Sequence, residues 1–156
     1  MKRILATMLF AGLSAAAQAQ VPSYGPSINL EQAKRAIAAG QAEARKNGWP
    51  VAIAILDTAG MLVAFEKMDD TQSASMDIAI DKGRSAAIYR RSTKVMQDGV
   101  AGGGAGLRLL NLRAASTVEG GLTIVVNGKI IGGIGVSGVN SDQDGVVAKA
   151  GADAIK

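Results

Sequence analysis

Apolar and polar positions change period several times along this chain, and each change marks an element. Leu30, Ala33, Ile37 and Ala44 recur at helical spacing. Asn29 stands where an N-cap belongs, with Gln32 three positions on, the pattern of a capping box. Gly48 sits where that helix stops, and Pro50 forbids its continuation. Val51–Leu56 is an unbroken, β-branched apolar run, a strand buried on at least one face. Asp57-Thr58-Ala59-Gly60 supplies turn chemistry before Met61–Phe65 resumes apolar, so the pair reads as an antiparallel hairpin. Ser73–Arg91 predicts a second helix, with Met76, Ile80, Gly83 and Ala87 on one side. Asp77, Asp81, Lys82 and Arg84 decorate the rest of it, and the small Gly83, Ala86 and Ala87 predict close approach to another backbone. Thr93 is placed to cap a short helical turn through Met96 and Asp98. Gly99–Gly106, with five glycines in eight positions, predicts a flexible connection. Leu122–Val126 and Lys129–Val136 flank Asn127-Gly128, the strongest short hairpin signal, because both turn positions need positive φ. Ser141 or Asp142 is placed to cap a last helix running to Ile155.

Hairpins beside helices predict an α+β fold, an antiparallel sheet with helices packed on its faces. Residues 29–156 form one domain, since two domains in 156 residues would each bury too small a core. Residues 1–19 read as a signal peptide. Lys2 and Arg3 start it, an apolar stretch from Ile4 to Ala17 follows, and Ala17-Gln18-Ala19 is a small-x-small cleavage pattern. That stretch is short of the ~20 residues a membrane span needs. The reading places the protein in the bacterial periplasm, or secreted, with no membrane attachment after cleavage. Residues 20–28, with Pro22, Gly25 and Pro26, read as a flexible arm.

Composition narrows the chemistry. The chain holds no cysteine and no histidine, which excludes disulfides, iron–sulfur clusters, thiol nucleophiles and every catalytic triad built on histidine. Cleavage after Ala19 removes two of the 17 basic residues, leaving 15 against 13 acidic, a net charge of +2. That charge, with so few aromatics, gives no nucleic-acid footprint. Gly133-Ile134-Gly135-Val136-Ser137-Gly138 matches the dinucleotide pattern, but the glycines interrupt a hairpin strand and no second parallel strand follows. They read instead as a flat surface for a helix, a subunit or a planar ligand. Asp69-Asp70 reads as an exposed acidic turn, not a metal site, and Arg90-Arg91 with Lys94 as a small basic cluster.

Three segments carry a family resemblance. Ala79-Ile80-Asp81-Lys82-Gly83-Arg84-Ser85-Ala86-Ala87 resembles the helix signature of the GlcG/HbpS family, which is related to the C-terminal domain of PduO-type proteins. Gly120-Gly121-Leu122-Thr123-Ile124 is similar to the start of its next strand, with threonine where the family usually has proline. Gly132–Gly138, followed by Gln143-Asp144 and Ala148-Lys149-Ala150-Gly151, is similar to its ending, and Asp57–Gly60 fits its turn. Gly83 and Ser85 also depart from the usual alanine and threonine. The resemblance implies a profilin-like layered sandwich, a homo-oligomer, and an exported haem- or tetrapyrrole-binding protein used in buffering or sensing. It transfers no catalytic mechanism. With no histidine, the implied axial ligand is Met, Tyr, Lys or water. The implied haem-site residues are Tyr89 or Met96 near the iron and Lys82, Arg90 or Arg91 for the propionates, with Met76 and Arg84 as further cofactor-binding candidates. Two alternatives remain. One is an accessory protein or cofactor-free enzyme for a small organic acid, using Asp57, Lys82, Arg84, Tyr89, Arg113 or Glu119. The other is a self-assembling structural module.

Overall fold

The computed structural model describes residues 21–156. The signal-peptide reading of residues 1–19 lies outside them. Four helices, one 3-10 helix and four strands follow one another in the described residues. They are α1 (Leu30–Asn47), β1 (Ala52–Leu56), β2 (Leu62–Lys67), α2 (Ser75–Tyr89), α3 (Thr93–Ala101), the 3-10 helix (Gly104–Asn111), β3 (Gly121–Val126), β4 (Lys129–Ser137) and α4 (Ser141–Asp153).

Both hairpins form where the turns predict them. Asp57 Oδ1 accepts the N–H groups of Ala59 and Met61, each at 2.8 Å, and Gly60 adopts φ 78°. Asn127 and Gly128 adopt φ 50° and 72°. The hairpins then join side by side through an antiparallel β1–β4 pair, giving one sheet of order β2-β1-β4-β3. Helix α1 starts on the predicted capping box, with Gln32 N–H donating to Asn29 Oδ1 at 2.9 Å and Asn29 N–H to Gln32 Oε1 at 3.0 Å. It ends at Gly48 in the left-handed region. Helix α4 is capped one position earlier than expected, by Asn140, whose N–H donates to Gln143 Oε1 at 3.2 Å.

The layers follow from strand alternation. Ile53, Ile55, Ile134 and Val136 face α1 and α4, and with Ala33, Ile37 and Val147 form the main core. Ala52, Ala54 and Leu56 face the other way, toward Ala79 of α2. Strand β1 is therefore buried on both faces.

On the α2 side the sheet is stripped of side chains. A Cβ on Gly133 would overlap the carbonyl oxygen of Gly83, and one on Gly135 would overlap that of Ala79. The helix answers with its own small residues, Ala79, Gly83 and Ala87, at four-residue spacing. The glycines that mimic a dinucleotide motif thus seat a helix. This docking also sets the phase of α2. Ser75, Ala79, Lys82, Gly83 and Ala86 are buried, whereas Met76 is exposed. The face chosen by size differs from the face chosen by hydropathy.

Two further expectations change. The glycine run 99–106 is partly helical, because α3 extends to Ala101 and the 3-10 helix begins at Gly104. The arm expected to be flexible pairs with β4 instead. Strand β1 covers β4 only from Gly133 to Ser137, which leaves Ile130 and Ile131 with open backbone groups. Residues 23–28 fill that gap through Gly25 N–H to Ile130 O (2.8 Å), Ile130 N–H to Ser23 O (2.9 Å) and Ile28 N–H to Ile131 O (2.7 Å). Ile28 is buried in the main core, and the Tyr24 hydroxyl donates to Ala87 O at 2.9 Å, at the end of α2. Tyr24→Phe is expected to lower folding stability by about 1 kcal/mol. Denaturant unfolding monitors this, and an unchanged midpoint would show that the arm contributes nothing through that bond.

Candidate functional site

Helix α2 carries most of the predicted site residues, and its two ends and its middle meet different surroundings. In the middle, Lys82 is not a surface charge. Its Nζ donates to Asp144 Oδ2 at 2.8 Å and to Val136 O at 3.0 Å, and both side chains of the pair are 2% exposed. The pair ties α2 to α4 and to the end of β4. Asp144 Oδ1 also accepts Val139 N–H at 3.2 Å. Burial pushes the Asp144 carboxyl above the usual carboxylate range, against the pull of the Lys82 ammonium and of backbone N–H groups.

A cleft of about 440 Å³ opens over this pair. Helix α2 supplies Ile78 and Asp81, the segment after the 3-10 helix supplies Ala114–Ser116 and Val118, and Ser137, Ser141 and Gln72 complete the polar lining. Ser137 donates to the buried hydroxyl of Ser75 at 3.1 Å. Asp81 on the rim accepts from Arg84 Nη1 at 3.1 Å, and Arg84 Nε also donates to Gly60 O at 3.2 Å.

The C-terminal end of α2 is a second locus. Tyr89 is half-buried, and its hydroxyl donates to Arg113 O at 2.7 Å, beyond the 3-10 helix. Arg90 follows in the left-handed region, its guanidinium 5.7 Å from the Tyr24 ring centroid. Arg91 is exposed and donates to Tyr89 O at 3.1 Å. The 3-10 helix, which ends two residues before Arg113, buries none of its residues and exposes Leu107 and Leu110.

The methionines separate cleanly. Met96 is 1% exposed, and its sulfur accepts the Ser85 hydroxyl at 3.4 Å. Met76 stands exposed on the first turns of α2, away from Tyr89 at the far end of the same helix. The predicted residues therefore divide into a buried set, Lys82 and Met96, and an accessible set, Met76, Arg84, Tyr89, Arg90 and Arg91. Of the residues suggested for organic-acid chemistry, Asp57 is engaged in its own turn and Glu119 lies 3.9 Å from Lys94. Sequence reasoning missed Asp144 as the partner of Lys82, although it quoted both residues in separate motifs.

Comparison with known proteins agrees with this architecture. A family described as "Haem degrading protein HbpS-like" matches residues 28–153. The chain is 42% identical over 110 residues to Protein GlcG of Escherichia coli (strain K12), spanning 70% of this chain and 81% of that one. Among solved structures, a complex of PduOC with heme superposes with a TM-score of 0.75 at 26% identity, covering 83% of this chain and 96% of that one. HbpS superposes with a TM-score of 0.78 at 25% identity, covering 90% and 99%.

Proposed function

This chain belongs to the HbpS-like family, and from that premise we propose that it is an exported protein that binds haem or a related tetrapyrrole. The observation that carries the reading is the kinship over nearly the whole fold with a protein crystallised as its heme complex.

The chemistry of the available donors supports one locus, the C-terminal end of α2. Tyr89 offers a phenol oxygen, a suitable ligand for ferric iron. Arg90 and Arg91, with Arg113 close by, offer guanidinium forks for two carboxylates. The exposed leucines of the 3-10 helix offer an apolar surface for a flat ring. Met96 does not suit the ligand role, because its sulfur is enclosed. When bound, the haem would supply redox and oxygen chemistry, and the chain's own part is to hold the propionates and exclude water from one ring face. Assembly into a homo-oligomer and a role in buffering or sensing extend the same reading. Exposed Leu107, Leu110 and Val95 favour self-association.

Absorbance titration of residues 20–156 with haemin tests the proposal. The expected result is a saturable, stoichiometric Soret band that shifts in Tyr89→Phe and keeps its position in Met96→Leu. A non-saturating response overturns haem binding. A band moved by Met96→Leu and not by Tyr89→Phe overturns the assignment of the locus.

A further inference from the structure

The haem reading makes no use of the cleft over Lys82 and Asp144. A ring with two carboxylates needs free cations, and this cleft offers an ammonium already matched to a carboxylate, with Asp81 at the rim. We propose that the cleft is a second, independent binding site and that it takes a small uncharged molecule bearing several hydroxyl groups.

The argument starts from size. A volume of about 440 Å³ lies within the range of small-molecule sites. Charge then selects the class. Lys82 and Asp144 form a balanced pair at the base, and Asp81 is paired with Arg84. An anion entering the cleft meets two carboxylates and no uncompensated cation. A cation meets no uncompensated carboxylate, since Asp144 is held by Lys82 and Asp81 by Arg84. A neutral ligand meets neither penalty.

Hydrogen-bonding capacity decides the rest. An ammonium has three N–H groups, and Lys82 has two protein acceptors, Asp144 Oδ2 and Val136 O. Ser137 donates to Ser75 and keeps its own lone pairs for a donor from outside. Ser116, Ser141 and Gln72 add groups that both donate and accept. Hydroxyl groups, which also do both, match this mixture better than a pure acceptor does. Ile78, Val118 and Ala115 supply an apolar wall for the carbon skeleton.

The test is a pair of titrations followed by amide resonances in residues 20–156, one with D-glucose and one with D-glucuronate, which keeps the pyranose ring and carries a carboxylate in place of the C6 hydroxymethyl. Glucose is expected to give saturable shifts confined to the cleft segments 72–82, 114–118 and 137–144, with glucuronate binding at least ten-fold more weakly. Ser116→Val, on the cleft wall and outside the buried pair, is expected to weaken glucose about ten-fold while leaving the remaining resonances in place. No saturable response to glucose, or glucuronate binding as tightly or more tightly, overturns the proposal. The haemin titration is read separately, so failure of one reading leaves the other standing.

Discussion

Asp144→Ala is expected to cost about 3–5 kcal/mol of folding stability, among the largest losses available to a single substitution in this chain. The reason is the group left behind. Lys82 is enclosed at the junction of α2, β4 and α4, and among the described residues Asp144 is its one carboxylate partner. Removing that partner leaves a 2% exposed ammonium with the Val136 carbonyl as its remaining protein acceptor. Replacing both members with apolar residues, Lys82→Met with Asp144→Leu, is expected to restore most of the loss, because neither charge then has to be desolvated. Denaturant unfolding of the three variants checks this. A single-variant cost below about 1 kcal/mol would show that Lys82 escapes to solvent.

Gly135→Val is expected to destabilise by about 3 kcal/mol or more, at the upper end for overpacking. A Cβ there meets the backbone of α2 at Ala79 and Gly83, and backbone cannot swing aside as a side-chain tip does. The cost should appear as loss of α2 docking, read by faster amide exchange across Ser75–Tyr89. Gly102→Ala provides the control. Its Cβ would meet nothing nearer than 3.5 Å and the residue adopts φ −70°, so stability should hold or rise by about 0.4–1 kcal/mol. Equal effects at the two positions would show that the glycine strand is not a docking surface for α2.

These two sites illustrate what a sequence can carry. The role of Gly133 and Gly135 was half legible, since a flat strand and a small-faced helix are both visible as composition. Their meeting was not, because the pairing spans about fifty residues and size complementarity leaves no periodic trace. The phase of α2 was half legible for the same reason. Gly83 and Ala87 are buried on the expected side, but hydropathy added Met76 where the sheet selected the smaller Ala79. Lys82 was placed outside the apolar face of α2 and available to a ligand, because a lysine on a helix is normally solvated. Nothing within a turn of it announces Asp144, 62 positions away.

The sequence by itself determined the elements whose cause is local. The Asn29–Gln32 box, the left-handed Gly48, the Asp57 turn and the Asn127-Gly128 turn each act within a few residues, and each appears where it was expected. The family was equally legible, because its motifs are short strings. Tertiary structure alone decided the rest. It turned an arm into a partner for the open edge of β4, enclosed Met96, buried the Lys82–Asp144 pair and opened a cleft above it. Each of these depends on groups far apart in the chain. Their free energy comes from water excluded by several elements at once, and no single segment encodes it.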